Sequence, residues 1–410
     1  MSLKLICQTL ILRIMFGFIA DIPSRLKHLF SKFKKHFTKP QYDNFCRAEL
    51  GIIAAGEGEH DVKSINELFI DKKDQSSLNR FITKPKWNIQ AIVSEGKELL
   101  LGESELNSEI EYKLIDDSVC KKYSQQTEMV CYNHSSTMGT VLSHDYVTSL
   151  YVNNKIAVSD GLRLYGNEEK CKEKGVEFKT KVELACDLIK QHHPRAKRTV
   201  CLWDAWFMCQ DTVEECQADG YDWIGEIKSN RIVFYEGNRY RLDELFDKLR
   251  NEGSFYDIVV SGELFQACKV NVFMPKIGDV SIVVNVRAQT KDTHLLCTDL
   301  VDCSVEEVVG HALQRHRIED FYKQAKALGL GEYRFRMSEA ALIHAHLVSL
   351  ACTLLDVLRR RLLRYSIVKG LLSFEAMVDW LRKRAMHLLM HRIRDSTKPF
   401  RSILKMIDTN

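Results

Sequence analysis

The pattern of apolar and polar positions changes character twice along the chain. Residues 1–105 carry mostly helical spacing. Ser64 and Glu67 stand at capping-box distance ahead of the apolar run Leu68-Phe69-Ile70. A polar turn, DKKDQ, follows, and SSLNRFIT then opens a second short helix. Two short helices across a tight polar turn form the pattern of a helix-turn-helix. From residue 110 the texture becomes that of strands. EYKLID, residues 111–116, is a short apolar run that ends in acids. HDYVTSLYV and KIAVSDGLRLY, joined by Asn153-Asn154, predict a hairpin. Residues 179–193 predict a helix stopped by Pro194, and RTVCLWD is a buried type of strand ending in Asp204. Residues 231–300 read as mostly β, with Glu236-Gly237-Asn238 as a hairpin turn. After Ser304, which forms a capping box with Glu307, helical spacing returns and continues nearly to the end.

The first residues need separate treatment. LKLICQTLILRIMFGFIA is apolar but broken by Lys4, Gln8 and Arg13. Its uncharged runs fall short of the ~20 residues a membrane span needs. The segment reads as an amphipathic helix, and the sequence predicts neither secretion nor a transmembrane helix.

At 410 residues the chain is long enough for two to four domains of roughly 100–200 residues each. Six prolines and 20 glycines are too few for low-complexity linkers. The 13 cysteines include no C-x-x-C pair, which points to reduced, buried thiols in a cytosol. The net charge of +4 is unevenly spread: residues 311–410 carry +10, residues 1–50 carry +6, and the middle carries −12. Basic ends around an acidic middle suit an anionic partner at the ends.

The candidate chemistry lies on the helix expected over 305–328. Ala312, Arg315, Glu319, Tyr322 and Lys326 recur at steps of 3, 4, 3 and 4, one stripe of one face. Alone, Arg315 and Glu319 are an i,i+4 surface pair worth a few tenths of a kcal/mol. Asp116 and Asp204, however, each end a strand-like run. Three carboxylates from separate elements could converge on hard cations such as Mg²⁺, and paired ions of this kind serve phosphoryl transfer. Asp116 and Asp117 are adjacent, and consecutive strand side chains face opposite ways, so only one points into such a site.

These residues resemble insertion-sequence transposases of the DDE class, with an RNase H-like catalytic domain. One branch carries a signature Y-x2-R-x3-E-x6-K. Arg315, Glu319 and Lys326 stand at its spacings, IDDS at 115–118 matches the first-acid context, and LWDAWF at 202–207 matches the second. The tyrosine position holds Ala312, with Tyr322 one turn past Glu319 as a substitute.

The resemblance spans about residues 45–350 and implies an α/β architecture. The chain is then expected to divide into a helical DNA-binding region at 1–105, an RNase H-like domain at 106–230, a β-rich insertion at 231–300, the closing helix at 301–350 and a basic helical region at 351–410. The resemblance implies catalytic and metal-binding roles for Asp116, Asp204 and Glu319, with Asp117 in a supporting role, and two Mg²⁺ ions, Mn²⁺ substituting. Arg315, Lys326, Lys228, Arg231 and Tyr322 are the residues expected on DNA. His311 and His316 are expected at the surface or on phosphates, and Trp203 and Trp206 in the core under the sheet rather than stacked on a base. The implied partners are double-stranded DNA (terminal inverted repeats and target) and a second copy of the chain in the synaptic complex, with no membrane and a cytoplasmic, nucleoid-associated location. The implied activity is DNA cleavage and strand transfer. The alternatives are a nuclease of the same fold without strand transfer, and an inactive, transposase-derived DNA binder.

Overall fold

A computed structural model describes residues 19–365 and 373–394. The amphipathic segment expected at the start lies largely outside them. Five helices come first: α1 (Ser24–Ser31), α2 (Lys39–Ala54), α3 (Val62–Glu67), α4 (Gln75–Thr83) and α5 (Ile89–Leu101). The capping box expected at Ser64 does not form. The Asp61 carboxylate accepts from the Lys63 and Ser64 amides, so α3 begins earlier and ends where a start was expected. α4 forms as the sequence suggests, capped by Asp74.

Strands β1 (Ile110–Lys121), β2 (Cys131–Ser135), β3 (Gly139–Asn153) and β4 (Ile156–Tyr165) follow. The β3–β4 hairpin turns at Asn154, which takes a positive φ of 51°. α6 (Glu168–Lys174) and α7 (Lys181–Lys190) lead to β5 (Arg198–Trp203), α8 (Gln210–Ala218) and β6 (Asp222–Glu226). The stretch read as mostly β contains β7 (Ile232–Tyr235), β8 (Asn238–Arg241), β9 (Tyr256–Val260), β10 (Glu263–Met274), β11 (Gly278–Arg287) and β12 (Thr293–Thr298). It also contains a helix, α9 (Leu242–Asn251), that buries Leu242, Leu245, Phe246 and Leu249 at helical spacing.

All twelve strands join one sheet. Its central path runs β2-β3-β1-β5-β6-β12-β11-β10-β7-β8, with β4 on β3 and β9 on β10. β1, β5 and β6 are parallel. The later strands therefore extend the sheet that carries β1 and β5. The result is a mixed α/β fold with an apolar core on each face of the sheet. One core joins Leu114, Leu202 and Ile224 to the helices of both chain ends; the other joins Ile115, Cys201 and Trp203 to α7, α8 and α9.

The helix expected over 305–328 is two. α10 (Val305–Ala312) and α11 (His316–Ala327) are separated by a tight turn of 3₁₀ helix at Leu313–Arg315. α12 (Ser338–Arg364) and α13 (Phe374–Arg394) complete the order. α12 is long and apolar enough to cross a membrane, but 89% of its apolar window is packed inside the fold. Every described cysteine is free, as the spacings suggest.

Glu49 on α2 is wholly buried in the helical core, and neither carboxylate oxygen has a partner among the described residues. Burial raises its pKa well above the ordinary value. The group folds protonated, so stability is lost as pH rises above the unfolded pKa. Glu49→Leu is expected to stabilise the protein by about 1–3 kcal/mol at neutral pH. The gain should shrink toward pH 4 in urea titrations; equal or lower stability at pH 8 would contradict this account.

Candidate active site

The parallel register brings the first two acids together. Leu114, Leu202 and Ile224 are aligned across β1, β5 and β6, and the next row is Ile115, Trp203 and Gly225. One residue further along each strand come Asp116, Asp204 and Glu226. Alternation returns these three to the face of the leucine row, on strands roughly 4.8 Å apart. Asp116 does not end its strand: β1 continues to Lys121. The run looked finished because its second half carries acids that are satisfied only by other elements.

α11 lies over this row, burying Ile318, Phe321, Tyr322 and Ala325. Its packing brings Glu319 and Lys326, and the Arg315 that precedes it, to an open cleft of about 750 Å³ with Asp116, Asp204 and Glu226. The Arg315 guanidinium sits among three carboxylates: 3.1 Å from Glu319, 3.4 Å from Glu226 and 4.0 Å from Asp116. Burial works to lower its pKa, but Glu226, then Asp116, Glu319 and Asp204, raise it overall.

The acids crowd one another. Burial, then the charges of Asp204 and Asp117, push the Asp116 carboxyl up to about 7 against the pull of Arg315. Burial also raises Asp204, although its Oδ1 accepts from the Trp206 and Phe207 amides at 3.0 and 3.3 Å. Asp117 also lines the cleft, so both adjacent acids border it, but Asp117 is already paired. Lys181 of α7 lies 2.7 Å from it and also pairs with buried Asp145 of β3. Burial raises Asp145 to about 7, with Asp117 adding to the rise and Lys181 opposing it.

Several expected contacts are placed differently. Tyr322 borders the cleft but is largely buried, and its hydroxyl donates to the Asp116 carbonyl at 2.9 Å. It braces the first acid's strand. Tyr322→Phe is therefore expected to cost about 1 kcal/mol of stability, with cleavage reduced less than tenfold and DNA affinity unchanged. A large affinity loss in a gel-shift titration would restore the DNA contact.

Trp203 is in the core, but Trp206 is 59% exposed and lines the cleft, because the Asp204 turn swings it outward. Lys181 and Lys228 stand over its ring at 5.9 and 5.8 Å. Lys228 is thus exposed at the edge of the cleft. Arg231 is exposed away from its lining, donating to the Met208 carbonyl at 3.0 Å. His311 is half-buried, its Nδ1 2.8 Å from the Tyr112 hydroxyl, while His316 is exposed. Ala312 lines a neighbouring cavity of about 240 Å³ that shares Glu226, Arg315 and Glu319 with the cleft.

Glu226 is the residue that sequence reasoning missed. The signal was present: DWIGE ends in an acid, as RTVCLWD does.

A protein-family model described as "Archaeal putative transposase ISC1217" matches residues 148–367. The chain belongs to this family of DDE transposases. The matched span covers more than half of the 410 residues. It includes Asp204, Glu226 and Glu319, whereas Asp116 lies upstream on β1. No curated protein matches the chain. DDE transposases act on DNA and generally use divalent metal ions. Among the described residues no three His, Cys, Asp or Glu side chains are gathered closely enough to hold a metal ion. Arg315 lies between the acids. The donor set itself fits a hard cation: it is all oxygen, and Asp116, raised first by burial, is raised further by the charges of Asp204 and Asp117, which a divalent ion would offset.

Proposed function

We propose that this transposase binds the terminal repeats of its own insertion sequence, cuts DNA at their boundary and joins the freed end to target DNA. The observation that carries the reading is the alignment of Asp116 and Asp204 on adjacent parallel strands, with Glu319 and Arg315 held over them in one cleft. Two adjacent parallel strands that each deliver an acid, closed by an acid-bearing helix, support an RNase H-like reading of residues 106–350 around the 231–300 strands.

Asp116, Asp204 and Glu319 would hold two Mg²⁺ ions, with Mn²⁺ as a substitute. Bound there, such ions supply Lewis-acid stabilisation of charge on the attacking and leaving oxygens. Arg315 and Lys326 grip the phosphates on either side, Arg315 as a planar two-point donor and Lys326 as a point charge. Lys228 extends this grip at the rim. In the first reaction water attacks the phosphodiester at the element's end, and the 3′ oxygen leaves and takes a proton. In the second, that 3′-hydroxyl attacks a target phosphodiester and the target's own 3′ oxygen leaves. No covalent link to the protein is required. Joining two ends in one event calls for at least two copies of the chain on DNA.

The test is incubation of labelled DNA carrying the element's flanking repeats with Mg²⁺ or with EDTA. Nicks at the repeat boundary that need the cation, followed by joined products, are expected. Cation-dependent nicks with no joined product would favour a nuclease of this fold instead. Repeat-specific binding with no cutting would favour a DNA-binding descendant.

A further inference from the structure

Glu226 stands in the acid row with no role in the three-acid scheme. It lies beside Asp204 by register, on the same face, at the end of β6. Its Oε1 is 3.4 Å from Arg315 and 3.4 Å from His294 Nδ1. Its side chain is 27% exposed, against 50% for Glu319, which shares the same guanidinium. Glu226 is thus fixed to the sheet, whereas Glu319 reaches Arg315 from a more solvent-exposed position.

That asymmetry matters when a cation enters. Glu319 cannot serve a divalent ion and neutralise Arg315 equally. A guanidinium that loses its partner beside a cation site is repelled, or it turns back onto the carboxylates and competes for them. Resting on the metal-dependent reading above, we infer that Glu226 is a positioning residue for Arg315. It holds the guanidinium at the wall of the cleft, so that Glu319 and Asp116 are released to the cation and Arg315 stays aimed at phosphate. His294 supports this carboxylate from β12, the strand paired with β6. The role accounts for the third acid in the row without adding a ligand.

The experiment is Mn²⁺ binding by the full chain without DNA, followed by calorimetry. Glu226→Gln is expected to weaken binding by about tenfold or more, because Arg315 then falls onto Asp116 and Glu319. Arg315→Ala should bind Mn²⁺ at least as tightly as wild type, and the double variant Glu226→Gln/Arg315→Ala should recover that affinity. Recovery is what separates positioning from ligation. If the double variant stays as weak as Glu226→Gln, Glu226 is itself a ligand and the inference is overturned. Unchanged binding in Glu226→Gln overturns it as well. A different result would strike the underlying reading: wild type binding no Mn²⁺, or Asp116→Asn and Asp204→Asn binding it as well as wild type does. Near-ultraviolet circular dichroism of each variant checks that a loss of binding is not a loss of fold. The Arg315→Ala arm, which leaves Glu226 in place, tests the competition on its own.

Discussion

Asp204→Asn is expected to abolish cation-dependent cleavage at the repeat boundary while leaving DNA binding within a few-fold of wild type. The substitution keeps the oxygen that accepts from the Trp206 and Phe207 amides, so the turn after β5 and the exposed Trp206 should hold their places. What it removes is the charge. A carboxylate holding catalytic cations contributes several kcal/mol to the transition state, and each 1.36 kcal/mol is a factor of ten in rate. The loss should therefore be on the order of 10³-fold or more. Glu319→Gln should behave alike. DNA affinity without cation should rise slightly if it moves at all, since one repelling charge has left a cleft that phosphates enter. Cleavage gels and gel-shift titrations on the same labelled repeat read both quantities. Cleavage by Asp204→Asn within tenfold of wild type would remove this aspartate from the site.

The second large effect is on stability and lies on the opposite face of β1. Lys113 is 1% exposed, and its Nζ lies 3.0 Å from Asp160 Oδ1. Lys97 reaches Asp160 Oδ2 at 3.3 Å, and the Ser149 hydroxyl donates to the same carboxylate at 2.7 Å. Burial alone would raise the Asp160 pKa, but Lys113, then Lys97, with hydrogen bonds from His192 and Ser149, hold it well below the usual value. Removing one partner of such a pair strands a buried charge. Asp160→Asn is expected to cost about 3–5 kcal/mol. Because the folded pKa is depressed, this stabilisation is fully present above the unfolded value and is lost as pH falls through the folded one. The gap between wild type and Asp160→Asn in urea unfolding should therefore be constant from neutral pH upward and narrow only below about pH 4. Adding Lys113→Met should recover much of the loss, because no unpaired cation then remains on β1. A deficit under 1 kcal/mol at pH 7 would show that this network does not bear on stability.

The elements and chemistry legible in the chain are those set by local pattern. The β3–β4 hairpin follows from Asn153-Asn154 between alternating runs, α4 from Asp74 ahead of an apolar stripe, and α10 from the Ser304–Glu307 box. The candidate third acid and its arginine were legible because i,i+4 spacing puts Arg315 and Glu319 side by side in any helical turn, and they are 3.1 Å apart. Local pattern misled where charge was settled at long range. Asp116 and Asp117 looked like the end of a strand, yet β1 runs on past them, and Glu111, Lys113 and Asp117 share one of its faces. Each is matched from afar: Glu111 by His192, Lys113 by Asp160, Asp117 by Lys181. α9 was hidden inside a β-rich stretch because its ten residues are too short to outweigh their neighbours.

By itself, then, the sequence determined which residue types are on hand: two strand-borne acids, a helix-borne acid with its arginine, and the local turns and caps that order them. The tertiary structure alone decided which of them meet. The parallel register of β1, β5 and β6 makes Asp116, Asp204 and Glu226 neighbours across separations of up to 110 residues, and no local spacing encodes a register. Burial decided the rest. Packing of α11 turned Tyr322 inward as a brace, the Asp204 turn pushed Trp206 out, and Lys181 drew Asp117 toward Asp145, leaving Asp116 beside Arg315.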